Sequence, residues 1–256
     1  ALQELAGSQL FVTRPSAGKH DVFAVGAADD IQSTIRLYPD AFLALSVIVC
    51  EGASEVGLVR GLDQYRTANG HRAIFALGTA LIDCGGGDAD RPFKRAAALR
   101  ALGYRVAVVR DDDKKPTEGV EAALMADGGD VFTWRNGRTL EDELSSSLSE
   151  AAVIKLIDRA VELHGSELIN DHIRSASKNS KDLNAIQVEQ LIDGITMESR
   201  LILGKAARTR KAGWFKSVTW MEEVARDIVG PDLANTEAGF RALLEAIFTW
   251  AGNASE

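Results

Sequence analysis

The spacing of apolar residues changes along the chain, and this change separates strands from helices. From about residue 43, short runs of consecutive apolar positions alternate with segments that are apolar at every third or fourth position. Residues 46–50 and 104–109 are rich in consecutive β-branched side chains, as in strands buried on both faces of a sheet. Residues 54–68 and 92–102 have helical spacing. The alternation predicts a parallel sheet with right-handed crossovers through helices.

The two flanks of this alternating region have different patterns. Residues 9–13 and 22–25 are typical of short strands, and two strands alone bury too little surface to be stable. After Arg138 the pattern becomes helical, with expected helices at 140–144, 151–163, 166–175 and 185–197 and an expected break at the serines 145–147. A basic stretch, 205–216, and two amphipathic helices, 218–229 and 237–250, end the chain.

These patterns predict four parts. Residues 1–40 form the tail of a preceding domain, and residues 41–138 form an α/β core that carries the chemistry. Residues 139–204 form an additional all-helical domain. Residues 205–256 comprise the basic segment and C-terminal helices that pack back on the core.

Composition narrows the class of protein. The chain has 256 residues, of which 46% are hydrophobic, enough for one large or two modest domains. No apolar run approaches the ~18–20 residues of a membrane-spanning helix. Two cysteines and four scattered histidines exclude a disulfide scaffold and disfavour a zinc centre. No secretory signal is visible, so we expect a reduced, cytoplasmic protein.

The formal net charge of −8 argues against nonspecific coating of nucleic acid by a basic surface. It does not exclude a nucleic-acid enzyme, because carboxylates that surround divalent cations become electropositive once the metal binds. The location of the acids is therefore more informative than their number.

Acidic residues follow both strong strand patterns at the point where each strand ends. Glu51 and Glu55 follow the first, and Asp111 and Asp113 follow the second. Functional sites of open parallel sheets form at this edge, so neighbouring strands would bring the four carboxylates together. Four close carboxylates cannot all ionise without a cation, and oxygen ligands favour Mg²⁺ or Mn²⁺. The alternative is that turns favour Asp and helix N-termini favour Glu.

The order of these motifs resembles a known family. A Glu in Val-Cys-Glu-Gly-Ala-Ser-Glu (49–55), followed by Asp111-Asp112-Asp113 after a later strand, is similar to the signature of Toprim domains. Over roughly residues 40–225, the chain resembles the C-terminal Toprim nuclease region of class 2 OLD (overcoming lysogenisation defect) endonucleases. Further motifs that carry the resemblance are Gly-Thr-Ala-Leu-Ile-Asp (78–83), the triple glycine 85–87, Leu-Gly-Tyr (102–104), Leu-Glu (140–141) and Gly-Trp-Phe-Lys (213–216).

The resemblance implies a Toprim-like sheet and cleavage of DNA with two metal ions. By position, the implied ligands, chiefly of one ion, are Glu51, Glu55, Asp111 and Asp113. For the second ion, Glu141 is the first choice and Asp83 the second. The alternative for Glu141 is an ordinary acid in the first turn of a helix, and the alternative for Asp83 is an ordinary acid before a glycine turn. Lys216 would be the positive group near the transferring phosphate, or else a surface lysine.

The resemblance also implies features outside the nuclease region. OLD proteins carry an ABC-type ATPase domain before the Toprim region, and residues 8–25 are similar to its closing strands. Pro15 stands where those ATPases often have a histidine, and the chain contains no Gly-x-x-x-x-Gly-Lys-Ser/Thr motif. We therefore expect that the native ATPase domain is absent here and that this chain does not hydrolyse ATP. A helicase-like partner, a homodimer of the full-length protein and a role in anti-phage defence are further expectations.

A basic cluster suggests how DNA would be held. Lysines and arginines without any acid occupy 205–216, and the cluster includes the candidate DNA-binding residues Lys205, Arg208, Arg210 and Lys211. With Trp214 and Phe215 interleaved, this stretch is a plausible phosphate track. The alternative is a solvated helix end with an aromatic anchor. Arg91, Lys94 and Arg95 are either a second basic edge or a solvated helix face.

Other functions fit the sequence less well. Topoisomerase and primase relatives are disfavoured because the three tyrosines lie in apolar or helical contexts and no zinc-binding cysteines are present. A phosphoacceptor receiver domain does not explain the long helical segment. A non-catalytic Toprim-type DNA-binding or assembly module remains the alternative, although it would not need the whole acid set. The four histidines have no ligand spacing and are expected at the surface or in loops.

Overall fold

Two antiparallel strands and a short helix precede the main sheet. In this computed structural model, which describes residues 2–16, 18–26, 29–135, 137–209 and 212–253, β1 (Phe11–Ser16) pairs with β2 (Lys19–Ala24). The two predicted strands are confirmed. The helix α1 (Asp29–Leu37) was missed, because its buried face contains only two apolar residues, Ile31 and Ile35, beside the polar Thr34, and these give no clear periodic signal.

The four-stranded parallel sheet is built from the segments with the strongest strand pattern. In order along the chain these are β3 (Ser46–Cys50), β4 (Thr79–Asp83), β5 (Arg105–Arg110) and β6 (Asp130–Thr133), with α2 (Ala53–Ala68), α3 (Arg91–Arg100) and α4 (Val120–Ala126) between them. The spatial order is β4-β3-β5-β6, so β3 lies between β4 and β5. Every residue of β3 is buried. The predicted fold class, an α/β protein with a parallel sheet flanked by helices, is confirmed.

The rest of the described chain is helical. It comprises α5 (Leu140–Ser147), α6 (Glu150–His164), α7 (Ser166–Ala176), α8 (Leu183–Ile192), α9 (Met197–Ala207), α10 (Val218–Val224), the single turn α11 (Gly230–Asp232) and α12 (Ala238–Gly252). The predicted helix 185–197 is confirmed as α8, but it ends earlier, at Ile192, because Gly194 has φ +83° and Thr196 caps the next helix. The predicted break at the serines is wrong, because all three serines lie within α5, where the Ser147 hydroxyl donates to Glu143.

One hydrophobic cluster joins the sheet to these helices. Ile48 and Val109 from the sheet belong to the same buried cluster as Leu140 of α5, Leu203 of α9 and Phe240 of α12. The boundaries of the four predicted parts stay a prediction. None of the described helices is both long enough and apolar enough to cross a membrane.

The helix that follows β3 packs against α10 through two glycines. A Cβ atom on Gly57 would lie 2.6 Å from the Val218 carbonyl oxygen, and one on Gly61 would lie 2.1 Å from the Glu222 carbonyl oxygen. The two glycines are one helical turn apart and therefore share one face of α2. Only glycine permits this close approach of the two backbones.

Replacing Gly61 with Ala is expected to lower the free energy of unfolding by about 1–3 kcal/mol, because the added methyl group meets backbone that cannot move aside. This loss should exceed the ~1 kcal/mol that alanine gains in a helix interior. Urea unfolding measures the effect. In the control Gly252→Ala the new Cβ meets no neighbouring atom, and little change is expected. Equal stability of the wild type and Gly61→Ala would contradict the close packing.

Candidate functional site

A cleft of about 450 Å³ opens at the carboxyl ends of β3, β4 and β5. All of the acids singled out in the sequence line it, namely Glu51, Glu55, Asp83, Asp111, Asp113 and Glu141. Three basic side chains, Lys114, Arg208 and Lys216, line it as well. The structure therefore brings together side chains from five separate stretches of the chain.

Glu51 links the ends of the two central strands. Its amide donates to the Val109 carbonyl oxygen over 2.9 Å, which continues the pairing of β3 with β5. Its Oε2 atom accepts a hydrogen bond of 3.1 Å from the Asp111 amide. Burial raises the pKa of Glu51, and the hydrogen bond from Asp111 only partly opposes this effect. Glu51 is thus held in place by the backbone of the neighbouring strand.

Glu55 lies in the first turn of α2 and is only 4% exposed. Its Oε2 atom accepts a hydrogen bond of 2.9 Å from the Gly52 amide, which caps the helix. Burial, and then the nearby charge of Glu141, raise the pKa of Glu55 to about 8. A buried carboxylate beside a second acid is unfavourable unless it is protonated or compensated by a cation.

The three aspartates after β5 have different surroundings. Asp111 accepts a 2.9 Å hydrogen bond at Oδ1 from the Leu140 amide, at the electropositive start of α5. Burial raises the pKa of Asp111 well above its usual value, and the charges of the neighbouring glutamates raise it further. Asp112 instead accepts from the Gly137 amide over 2.8 Å and pairs with Lys115. Asp113 is exposed and lines the cleft.

A glycine loop forms the wall of the cleft beyond β4. Asp83 accepts a 2.6 Å hydrogen bond at Oδ1 from the Gly85 amide, and the Gly86 amide donates to the Glu51 carbonyl oxygen over 2.8 Å. The φ angles of Gly85, Gly86 and Gly87 are +76°, +67° and +85°, a left-handed conformation that glycine adopts without strain. These contacts fix the wall next to the acids.

Glu141 lies in the first turn of α5, is buried, and faces the basic side of the cleft. Its Oε1 atom is 3.6 Å from the Nζ atom of Lys216, whose side chain is 44% exposed. Arg208 lies nearby and donates to Asp142 over 3.1 Å. Lys205 is exposed on α9 and does not line the cleft. The remaining two candidates for DNA binding, Arg210 and Lys211, lie outside the described residues.

The aromatic pair before Lys216 anchors the segment and does not face solvent. Trp214 and Phe215 are both buried, as expected for the aromatic anchor that was the alternative to a phosphate track. Trp214 Nε1 donates to His172 Nδ1 over 3.3 Å, and His164 Nε2 is 2.9 Å from the Trp214 carbonyl oxygen. His172 is buried, which corrects its expected surface or loop position. Spacing could not reveal these partners, because they are 42 and 50 residues distant in sequence.

One of the three residues of the possible second basic edge, Arg95, does not lie at the surface. Arg95 is buried and donates to the Asp83 carbonyl oxygen over 3.2 Å. Arg91 donates to the carbonyl oxygens of Cys84 and Gly86 and so supports the glycine loop. Lys114 is a further cleft residue, and its only signal in the sequence is its position next to Asp113.

Gly213 determines where Lys216 can lie. A Cβ atom on Gly213 would be 2.6 Å from Cγ and Cε of Lys216 and 2.7 Å from Cδ. We expect Gly213→Ala to displace the lysine stem and to slow any cleavage that uses its charge by about 10- to 100-fold, with folding retained. Nicking rates of supercoiled plasmid measure the effect. In a Lys216→Met background the same alanine should cause little further loss, whereas additive losses would contradict the coupling.

Those cleft side chains that could bind a metal ion all offer oxygen atoms as ligands. In the described part of the chain, no three or more His, Cys, Asp or Glu side chains are arranged to hold a metal ion. The donor chemistry nevertheless fits a hard divalent cation, because carboxylates line the cleft without a histidine or cysteine among the described lining residues. Binding would require some of these side chains to rotate toward the ion.

Comparison with known proteins adds little to this picture. No protein-family profile and no curated protein matches the sequence. Among solved structures, the C-terminal region of the Xanthomonas campestris pv. campestris OLD protein matches 77% of this chain and 99% of its own length, with a TM-score of 0.36 and 14% identity. Similarity at this level supports no inference about function, which we therefore base on the cleft.

Proposed function

We propose that this chain is a metal-dependent DNA endonuclease or nickase that cleaves phosphodiester bonds with two Mg²⁺ or Mn²⁺ ions. One observation carries the proposal. Six acidic side chains from separate elements line one cleft at the carboxyl edge of a parallel sheet, and two of them, Glu55 and Glu141, are buried. So many carboxylates in one place are stabilised by bound cations, and hard oxygen donors favour these two metals.

The proposed roles of the acids are those that the resemblance to OLD Toprim regions implies. Glu51, Glu55, Asp111 and Asp113 are the proposed ligands, chiefly of one ion. Glu141 and then Asp83 are the candidates for the second, because they line the same cleft from α5 and β4. When bound, such ions activate water and neutralise charge on the phosphate that is attacked.

The basic side chains of the cleft have a separate role. Lys216 is half exposed beside Glu141, so its ammonium group is positioned to stabilise negative charge that develops on a phosphate. Lys114 and Arg208 lie on the same cleft and would attract the DNA backbone. Lys205, Arg210 and Lys211 are the proposed continuation of this track. Because six acidic side chains line the same cleft, attraction of DNA to this edge would depend on bound cations that neutralise the acids.

Incubation with supercoiled plasmid tests the proposal. The wild-type chain is expected to produce nicked or linear DNA with Mg²⁺ or Mn²⁺ and none with EDTA. Glu51→Ala should remove the activity, whereas Glu118→Ala, at an exposed position outside the cleft, should not. Intact plasmid in every lane, from folded protein that still shifts DNA in a gel, would refute the nuclease and favour the non-catalytic Toprim-type binding or assembly module.

A further inference from the structure

Two consecutive helices present large apolar side chains to solvent. On α8 these are Val188, Leu191 and Ile192, and on α9 they are Met197 and Leu201. Leu191 is 82% exposed and Ile192 is 72% exposed. The spacings of three and four residues place each set on one face of its helix. We call these five side chains the α8–α9 face.

The opposite sides of the same helices are already packed inside the protein. Ile186 of α8, Ile195 of the connecting turn and Leu203 of α9 are buried in the hydrophobic cluster. Apolar residues therefore occupy both the inner and the outer sides of α8. A helix that is apolar in most directions is normally covered on most sides.

The turn between the helices is held rigidly by polar contacts. Lys181 Nζ donates to Glu189 Oε2 over 2.7 Å and to Ser199 Oγ over 2.6 Å. The Thr196 amide donates to Glu189 Oε1 over 2.6 Å. Lys181 and Glu189 thus neutralise each other and tie the start of α8 to the start of α9. Such contacts reduce the conformational free energy that this turn would lose on association.

We propose that the α8–α9 face binds a second copy of this chain in an antiparallel, two-fold symmetric arrangement. The exposed Lys178 precedes α8, and the exposed acidic residues Asp193 and Glu198 follow it. A two-fold axis across α8 would place the basic end of one copy over the acidic end of the other. A symmetric interface uses the same patch on both subunits, so this charge pattern suits self-association.

The exposed area is consistent with such an interface. The five large apolar side chains are 43–82% exposed, and the largest apolar patches on monomers cover about 300–600 Å². A stable interface buries about 800 Å² per partner, and the flanking charged residues supply the remainder as a polar rim. The proposal is independent of the nuclease activity.

Sedimentation of the full chain over a range of concentrations tests the proposal. The wild type is expected to dimerise, and Leu191→Glu should raise the dimer dissociation constant at least roughly tenfold. Phe75→Glu is the matched control, since Phe75 is 71% exposed and lies outside α8 and α9. Circular dichroism confirms that each variant is folded. A monomeric wild type, or equal dissociation constants for all three proteins, would overturn the proposal.

Charge reversal tests the antiparallel arrangement. Lys178→Glu and Asp193→Lys are each expected to weaken the dimer, and the double variant should restore most of the affinity. Since both residues are exposed, neither change disturbs the core. A double variant that dimerises no better than the single variants would overturn the proposed orientation.

Discussion

Replacing Asp111 with Asn is expected to reduce metal-dependent DNA cleavage by roughly 10²–10³-fold or more, with the fold retained. The side chain lies where the charges of three glutamates meet, and its Oδ1 atom accepts from the Leu140 amide. Asparagine keeps an oxygen for this hydrogen bond and loses the negative charge that a cation needs. Initial rates of plasmid nicking at saturating metal measure the loss.

The neighbouring aspartate provides the matched control. Asp112 accepts from the Gly137 amide and pairs with Lys115, outside the cleft, so Asp112→Asn keeps an acceptor for Gly137. Its cleavage rate should stay near that of the wild type. If both variants lose activity equally, the effect belongs to the loop as a whole, and the special role of Asp111 is contradicted.

The change Glu55→Gln is expected to have opposite effects on activity and stability. Cleavage should decrease by roughly 10²–10³-fold, because a proposed metal ligand is lost. The free energy of unfolding at pH 8 without metal should increase by about 1–3 kcal/mol, since the buried charge beside Glu141 is removed. Gln can still accept the hydrogen bond from the Gly52 amide. A site that favours function over stability behaves in this way.

The pH dependence of the stability difference between the wild type and Glu55→Gln follows from the direction in which the pKa of Glu55 is shifted. The pKa of Glu55 is raised in the folded protein from 4.5 to about 8, so its contribution to stability is complete below pH 4.5. This contribution is lost as the pH rises through 8. In EDTA, the melting temperature of the wild type should therefore fall relative to Glu55→Gln between pH 5 and pH 8. A wild type that is more stable than the variant at pH 8 would contradict the claim that the buried charge of Glu55 destabilises the fold.

The sequence predicts the sheet and the position of the cleft well, because both depend on local signals. The β-branched runs that became β3 and β5 are unmistakable, and the acids follow them directly. Parallel strands place their carboxyl ends at one edge, so Glu51 and Asp111 had to be close if the strands were neighbours. Helix α1 and the break at Gly194 were missed, since their signals are short.

The supports of the site could not be predicted, because they join residues that are far apart in sequence. Nothing in the spacing of His172 indicates that it would accept from Trp214, and nothing local marks Arg95 as buried beneath the Asp83 carbonyl. The contrast between Asp112 and its two neighbours likewise depends on Gly137, which lies in the loop after β6. Such contacts appear only once the chain has folded.

Titration of the DNA-free chain with Mn²⁺, followed by calorimetry, tests most directly whether the acidic cleft is a metal centre. The wild type is expected to bind two ions, with release of protons at neutral pH as the carboxylates with raised pKa ionise. Asp111→Asn should lose most of this binding, and Asp112→Asn should retain it. An absence of Mn²⁺ binding by the wild type, or equal binding by all three proteins, would contradict the assignment of the cleft.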